Sequence, residues 1–100
     1  MEEAFQYIRE AIERIFMTYA ESPTIVMGDF NYPDLFEMLP SAIHDGGFRD
    51  VFVGEETAPG KGQQDHILVS RHWKINRYEI RKVLADHHQC IADISLMKSF

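Results

Sequence analysis

The sequence predicts an α/β domain of the α+β kind, with helices lying on one face of a small sheet. Apolar residues recur at helical steps near the N-terminus, and three later segments are continuous apolar runs of strand length. Glycine, proline, asparagine and aspartate punctuate the chain between them. With 100 residues, 45% hydrophobic and 26% charged, residues 1–100 form one domain of ordinary globular composition.

From Glu2 to about Glu21 an amphipathic helix is expected. Phe5, Ile8, Ile12, Ile15, Phe16 and Tyr19 form its stripe, and Glu3, Arg9, Glu10, Glu13 and Arg14 fall largely off it. Ser22-Pro23 stops the helix, because proline disfavours α geometry in the residue before it. Thr24 to Met27 is the first strand, and Gly28 turns the chain out of it. Asp34 caps a second helical stretch, with Glu37 at capping-box distance, Pro40 dividing it into two pieces and Gly46-Gly47 ending it. Phe48 to Phe52 is a short extended piece, and Val53 to Gln64 is the long polar loop. His66 to Val69, Trp73 to Ile80 and Gln89 to Ile94 are the remaining strands, with Val83 to His88 turning the chain before the last.

The best strand cores are Ile25-Val26-Met27, Ile67-Leu68-Val69 and Cys90-Ile91-Ala92. Unbroken apolar runs mark strands covered on both faces. The two helical segments cover one face of so small a sheet, so a partner chain or a second copy is expected on the other.

The net charge of −6 excludes a protein that holds nucleic acid by bulk electrostatics. Half of the ten basic residues nevertheless fall between Arg71 and Lys82: Arg71, Lys74, Arg77, Arg81 and Lys82. Such a cluster guards a solvated strand edge or faces a phosphate. The lone cysteine, Cys90, rules out an internal disulfide. No apolar run approaches the roughly 18 residues of a membrane span. The start Met1-Glu2-Glu3 is charged, unlike a signal peptide, and a cytoplasmic location is expected.

Chemistry concentrates in three places. Asp29 and Asn31 stand two apart after the first strand, so an extended chain points them the same way. The carboxylate suits a water or a divalent metal, and the amide suits an anionic oxygen, although both residues also serve plain turns. Asp65 precedes the second strand and His87 lies in the turn before the last, a pairing that fixes a histidine's tautomer and supports its charge. Zinc finds no closed ligand spacing in His87, His88 and Cys90. Ser41 and Ser70 lack a nucleophile elbow. His44, His66 and His72 are expected on the surface, in loops or strands, and are assigned no role.

Together these stretches resemble the endonuclease/exonuclease/phosphatase family, the deoxyribonuclease-I-like metal-dependent phosphoesterases. Gly28-Asp29-Phe30-Asn31 is similar to its Gly-Asp-x-Asn motif, and Gly47-Phe48-Arg49-Asp50 to its Gly-Phe-x-Asp segment. Asp65 to Ser70 is similar to its Asp-[aromatic or His]-Ile-Leu-Val-Ser strand, and Ala85-Asp86-His87 to its Ser-Asp-His motif, with alanine in place of the serine. Gln64 stands where an apolar residue usually precedes the aspartate. Order and spacing agree from about residue 4 to residue 96, which corresponds to the C-terminal half of the family alone.

The resemblance implies half of a four-layer α-β-β-α sandwich, as one mixed sheet with helices on one face. It implies phosphate-ester hydrolysis in which Asp29 activates water, Asn31 holds a phosphate oxygen and His87, oriented by Asp65, stabilises or protonates the phosphate. Asp86 and Asp29 would lie at a magnesium (or manganese) site. The family's other metal ligands, an asparagine and a glutamate, belong to the N-terminal half and have no counterpart here, so weak or no activity is expected of the chain alone. The implied partner is the missing half or a second copy in a two-fold homodimer. The rival reading is a non-catalytic assembly module that dimerises through its exposed sheet face. DNA, RNA, phosphoinositides and sphingomyelin are all substrates within the family.

Overall fold

The architecture comes from a computed structural model that describes residues 2–98, with side chains placed from Gln6 onward. Met1 and the side chains of Glu2, Glu3 and Phe5, which the sequence reading used, lie outside the described residues. The elements are α1 (Glu2–Tyr19), β1 (Ile25–Asp29), α2 (Leu35–Met38), α3 (Pro40–His44), β2 (Arg49–Asp50), β3 (Asp65–Val69), β4 (Trp73–Arg81) and β5 (Gln89–Leu96). The α+β class is as the sequence predicts. No described helix is long and apolar enough to cross a membrane.

The strands form two antiparallel sheets, β1-β3-β2 and β4-β5, which corrects the expectation of one mixed sheet. The helical connection from β1 to β2 leaves a strand's width between them. β3 then returns through that gap, antiparallel to both neighbours. Three residues after β3, the Ser70–His72 corner carries the chain out of this sheet, so β4 and β5 pair with each other. The corner is fixed by a buried Ser70, whose Oγ accepts the Thr24 N–H at 2.9 Å and lies 2.9 Å from His72 Nδ1.

Only part of the α1 stripe is used. Phe16 and Ala20 are buried and Ile12 packs beside them, while Ile8, Ile15 and Tyr19 are exposed. The apolar arc is wider than the contact, and the inward line of side chains takes the core. Pro40 does divide the second stretch, into α2 and α3, and the Asp34 carboxylate accepts the Glu37 N–H at 3.2 Å. Gly46 is dictated by space: a Cβ there would fall 2.7 Å from the Ala42 carbonyl oxygen.

β3 separates two cores. Its Leu68 joins Phe16, Leu35, Leu39, Ala42 and Phe48 under the helices. Val69 and Ile67 face Val51, Phe52 and the inward side chains of the β4–β5 hairpin, including Ile75, Ala92 and Ile94. The chain's own hairpin therefore supplies the second cover that patterning assigned to a partner. That cover does not reach β1, where Ile25 is 38% and Met27 65% exposed.

Candidate functional site

The register of β1 on β3 places Asp29 opposite Asp65 at the end of the ladder. Two carboxylates directly across a sheet repel each other. His87, in the connection between β4 and β5, lies against both. Its Nδ1 is 2.6 Å from Asp65 Oδ2 and its Nε2 is 3.7 Å from Asp29 Oδ2. The first separation is a short charge-assisted hydrogen bond with Nδ1–H donating. The second is an ion pair too long for a hydrogen bond.

This arrangement raises the His87 pKa above its ordinary 6.5. The bond to Asp65 is the largest cause. Partial desolvation opposes it, and the charges of Asp65, Asp29 and Asp86 add to it. The Asp65 side chain is the most enclosed of the three at 22% exposure, against 41% for His87 and 48% for Asp29. An enclosed acid orients the ring, and the open edge is left to Nε2 and Asp29.

Asp29 also serves the turn. Its Oδ1 accepts the Asn31 N–H at 2.8 Å, and Asn31 takes φ 51°, a left-handed conformation that asparagine tolerates well. The chain thus leaves the sheet at Asn31, not at Gly28 as expected, because Gly28 and Asp29 stay in register and the Phe30 N–H still donates to the Gln64 carbonyl at 2.9 Å. Turn chemistry and site chemistry share one carboxylate, using different oxygens.

Of the residues singled out in the sequence, Asp29, Asp65 and His87 converge, with one ligand atom from each lying within 4.8 Å of the others. Asp86 is exposed beside His87 and is not one of that group. Asn31 contributes its backbone N–H. The basic cluster is largely spent on acids: Arg71 pairs with Glu21, Arg77 with Asp93 and Arg81 with Glu79.

Magnesium, which the resemblance implies, takes oxygen donors in near-octahedral geometry at about 2.0–2.1 Å. The converging group offers two carboxylates and one nitrogen. Two of the donors brought together among the described residues are carboxylate oxygens of the kind that ion takes, and the third belongs to a ring whose Nδ1 is engaged by Asp65.

Two features were missed in the sequence. Lys61 lines a cleft of about 340 Å³ with Pro59, Ala85, Asp86 and His87. His66 is buried behind the site, its Nδ1 2.6 Å from Asp50 Oδ2 and its Nε2 2.7 Å from the Tyr32 carbonyl. Both ring nitrogens face oxygens. Gln63 Nε2 donates to Asp50 at 3.1 Å. The burial of His66 and His72 corrects the expectation that they lie on the surface. The sequence signals for His66 were its place in an apolar strand, where a histidine needs a buried partner, and its match to the aromatic-or-His position of the strand motif that Asp65 to Ser70 resembles.

The class defined by fold and site is thus an α+β domain with a carboxylate-held histidine at a strand end. Compared with protein-family models, curated proteins and solved structures, the chain matches none.

Proposed function

We propose that this chain is the C-terminal half of a phosphate-ester hydrolase, with weak activity by itself. The observation that carries the reading is the convergence of Asp29, Asp65 and His87 from three separate stretches, each of which resembles a phosphoesterase motif. In this reading Asp65 holds the ring through Nδ1, leaving Nε2–H free to donate to a phosphoryl or leaving oxygen. Asp29, more exposed, takes the proton of the attacking water. Asn31 holds a second phosphate oxygen, and Lys61 supplies attraction at the rim. Two carboxylates and a net charge of −6 oppose an anionic substrate. Strong turnover therefore calls for positive charge or metal donors, magnesium's included, from outside the described residues.

The test is hydrolysis of a chromogenic phosphodiester, with and without magnesium or manganese. Slow turnover lost in both Asp29→Ala and His87→Ala is expected. Turnover equal in all three proteins, or none above the blank, overturns the reading.

A second reading, an assembly module that pairs with a second copy, is favoured by the exposure of Ile25 and Met27 on the outer strand of the first sheet. Its test is the oligomeric state, argued below.

A further inference from the structure

Thr57 lies in the loop between β2 and β3, in a polar setting, yet it is completely buried. Its Oγ1 accepts two backbone N–H groups, from Gln64 at 2.9 Å and from Asp65 at 3.0 Å. Its carbonyl accepts the His88 N–H at 2.7 Å, and its own N–H donates to the Gly62 carbonyl at 3.1 Å. One residue therefore grips the backbone of Asp65 and that of His88, the neighbour of His87.

We infer that Thr57 is a positioning residue: its hydroxyl and carbonyl fix Asp65 and His87 relative to each other, so that the ring keeps its Nδ1–H on the Asp65 carboxylate. The inference rests on the reading of Asp65 and His87 as a working pair, but its test needs no turnover. A 2.6 Å bond between side chains from different segments survives only if both backbones are held to a fraction of an ångström. The Gly62 bond and the Ala58–Gly62 bridge hold Thr57 itself in place. Removal of the hydroxyl leaves two N–H groups without their acceptor, which frees the end of β3 to shift.

The tautomer of a neutral histidine is set by the hydrogen bond its other nitrogen makes, and ring-nitrogen chemical shifts read it directly. In the full chain, above the pH at which His87 loses its charge, wild type should show His87 as a single Nδ1–H tautomer. Thr57→Val, which keeps the shape and removes the hydroxyl, should give a mixture of the two tautomers. Thr57→Ser, which restores the hydroxyl, should return the single form. A valine variant that folds and keeps the pure Nδ1–H form overturns the inference, and so does a serine variant that loses it. If Thr57→Val does not fold, amide exchange in wild type decides. Gln64, Asp65 and His88 amides protected well beyond loop rates support the role of Thr57, and exchange at loop rates overturns it. Absence of phosphodiester turnover would defeat the hydrolase reading while leaving these results intact.

Discussion

His87 is held by two unequal carboxylates, and the inequality fixes its pH behaviour. Asp65 touches Nδ1 at 2.6 Å, while Asp29 stands 3.7 Å from Nε2. The folded state therefore binds the imidazole proton more tightly than the unfolded chain does, mainly through Asp65. A raised folded pKa gives stabilisation that is complete below the unfolded value of about 6.5 and disappears as pH rises through the folded value. Ring-proton NMR should place the His87 midpoint above 6.5. Asp65→Asn should bring it down further than Asp29→Asn, and the reverse order would mean that the long contact dominates. The urea midpoint of wild type should fall relative to His87→Gln across the same window. The pairing of Asp65 with His87 was legible from their places in the chain, one just before a strand and the other in the turn before the last strand. His66 and Asp50 were not, because nothing in an apolar strand says which of sixteen acids will lie beneath it.

At the scale of elements, α3 begins without a cap of its own. Leu39 occupies the cap position and offers no side-chain oxygen, and Pro40 opens the helix. The carboxylate comes from α1: Glu13 Oε2 accepts the Ser41 N–H at 2.7 Å and the Ala42 N–H at 3.2 Å. A negative charge on these free amides also meets the positive end of the helix dipole. Glu13→Ala should cost about 1 kcal/mol. In a domain of this size that lowers the melting temperature by roughly 4–8 °C. Glu10→Ala, whose carboxylate bonds the exposed Gln6 on the same helix, should change it little. Differential scanning calorimetry of the two variants checks the contrast. In the sequence Glu13 was simply a polar residue off the stripe, because helical spacing reveals which face a side chain is on and not what will dock there. The same limit applies to the strands. Their positions followed from apolar runs, but their neighbours depend on chain reversals, and the Ser70–His72 corner splits what looked like one sheet into two.

For the whole molecule, the unresolved tension is the surface around β1. The domain is a slab of about 43 × 37 × 15 Å, too thin for every apolar strand to be covered twice. β3 is covered on both faces, and β1 pays for it. Among the described residues its one strand neighbour is β3, so its outer edge has no strand paired to it there, and Ile25, Val26 and Met27 include no lysine, proline or bulge to discourage pairing. Beside that edge a groove of about 250 Å³ is lined by Ile12, Ile15, Phe16, Tyr19, Val26 and Phe30, which continues the apolar surface onto α1. In the assembly reading the identical edge of a second copy would pair here, because an antiparallel strand pair closes on itself about a two-fold axis and needs no further chain. Centred on Val26, such a pair sets Ile25 of each copy opposite Met27 of the other and leaves each Asp29 beyond the apolar pairs, open to solvent. Light scattering should therefore give the mass of a dimer, and Met27→Lys should give a folded monomer, since a charge desolvated against Ile25 of the other copy costs more than the strand contacts return. A wild type that is monomeric and well folded at high concentration would sink the assembly reading while leaving the convergence of Asp29, Asp65 and His87 within one chain untouched.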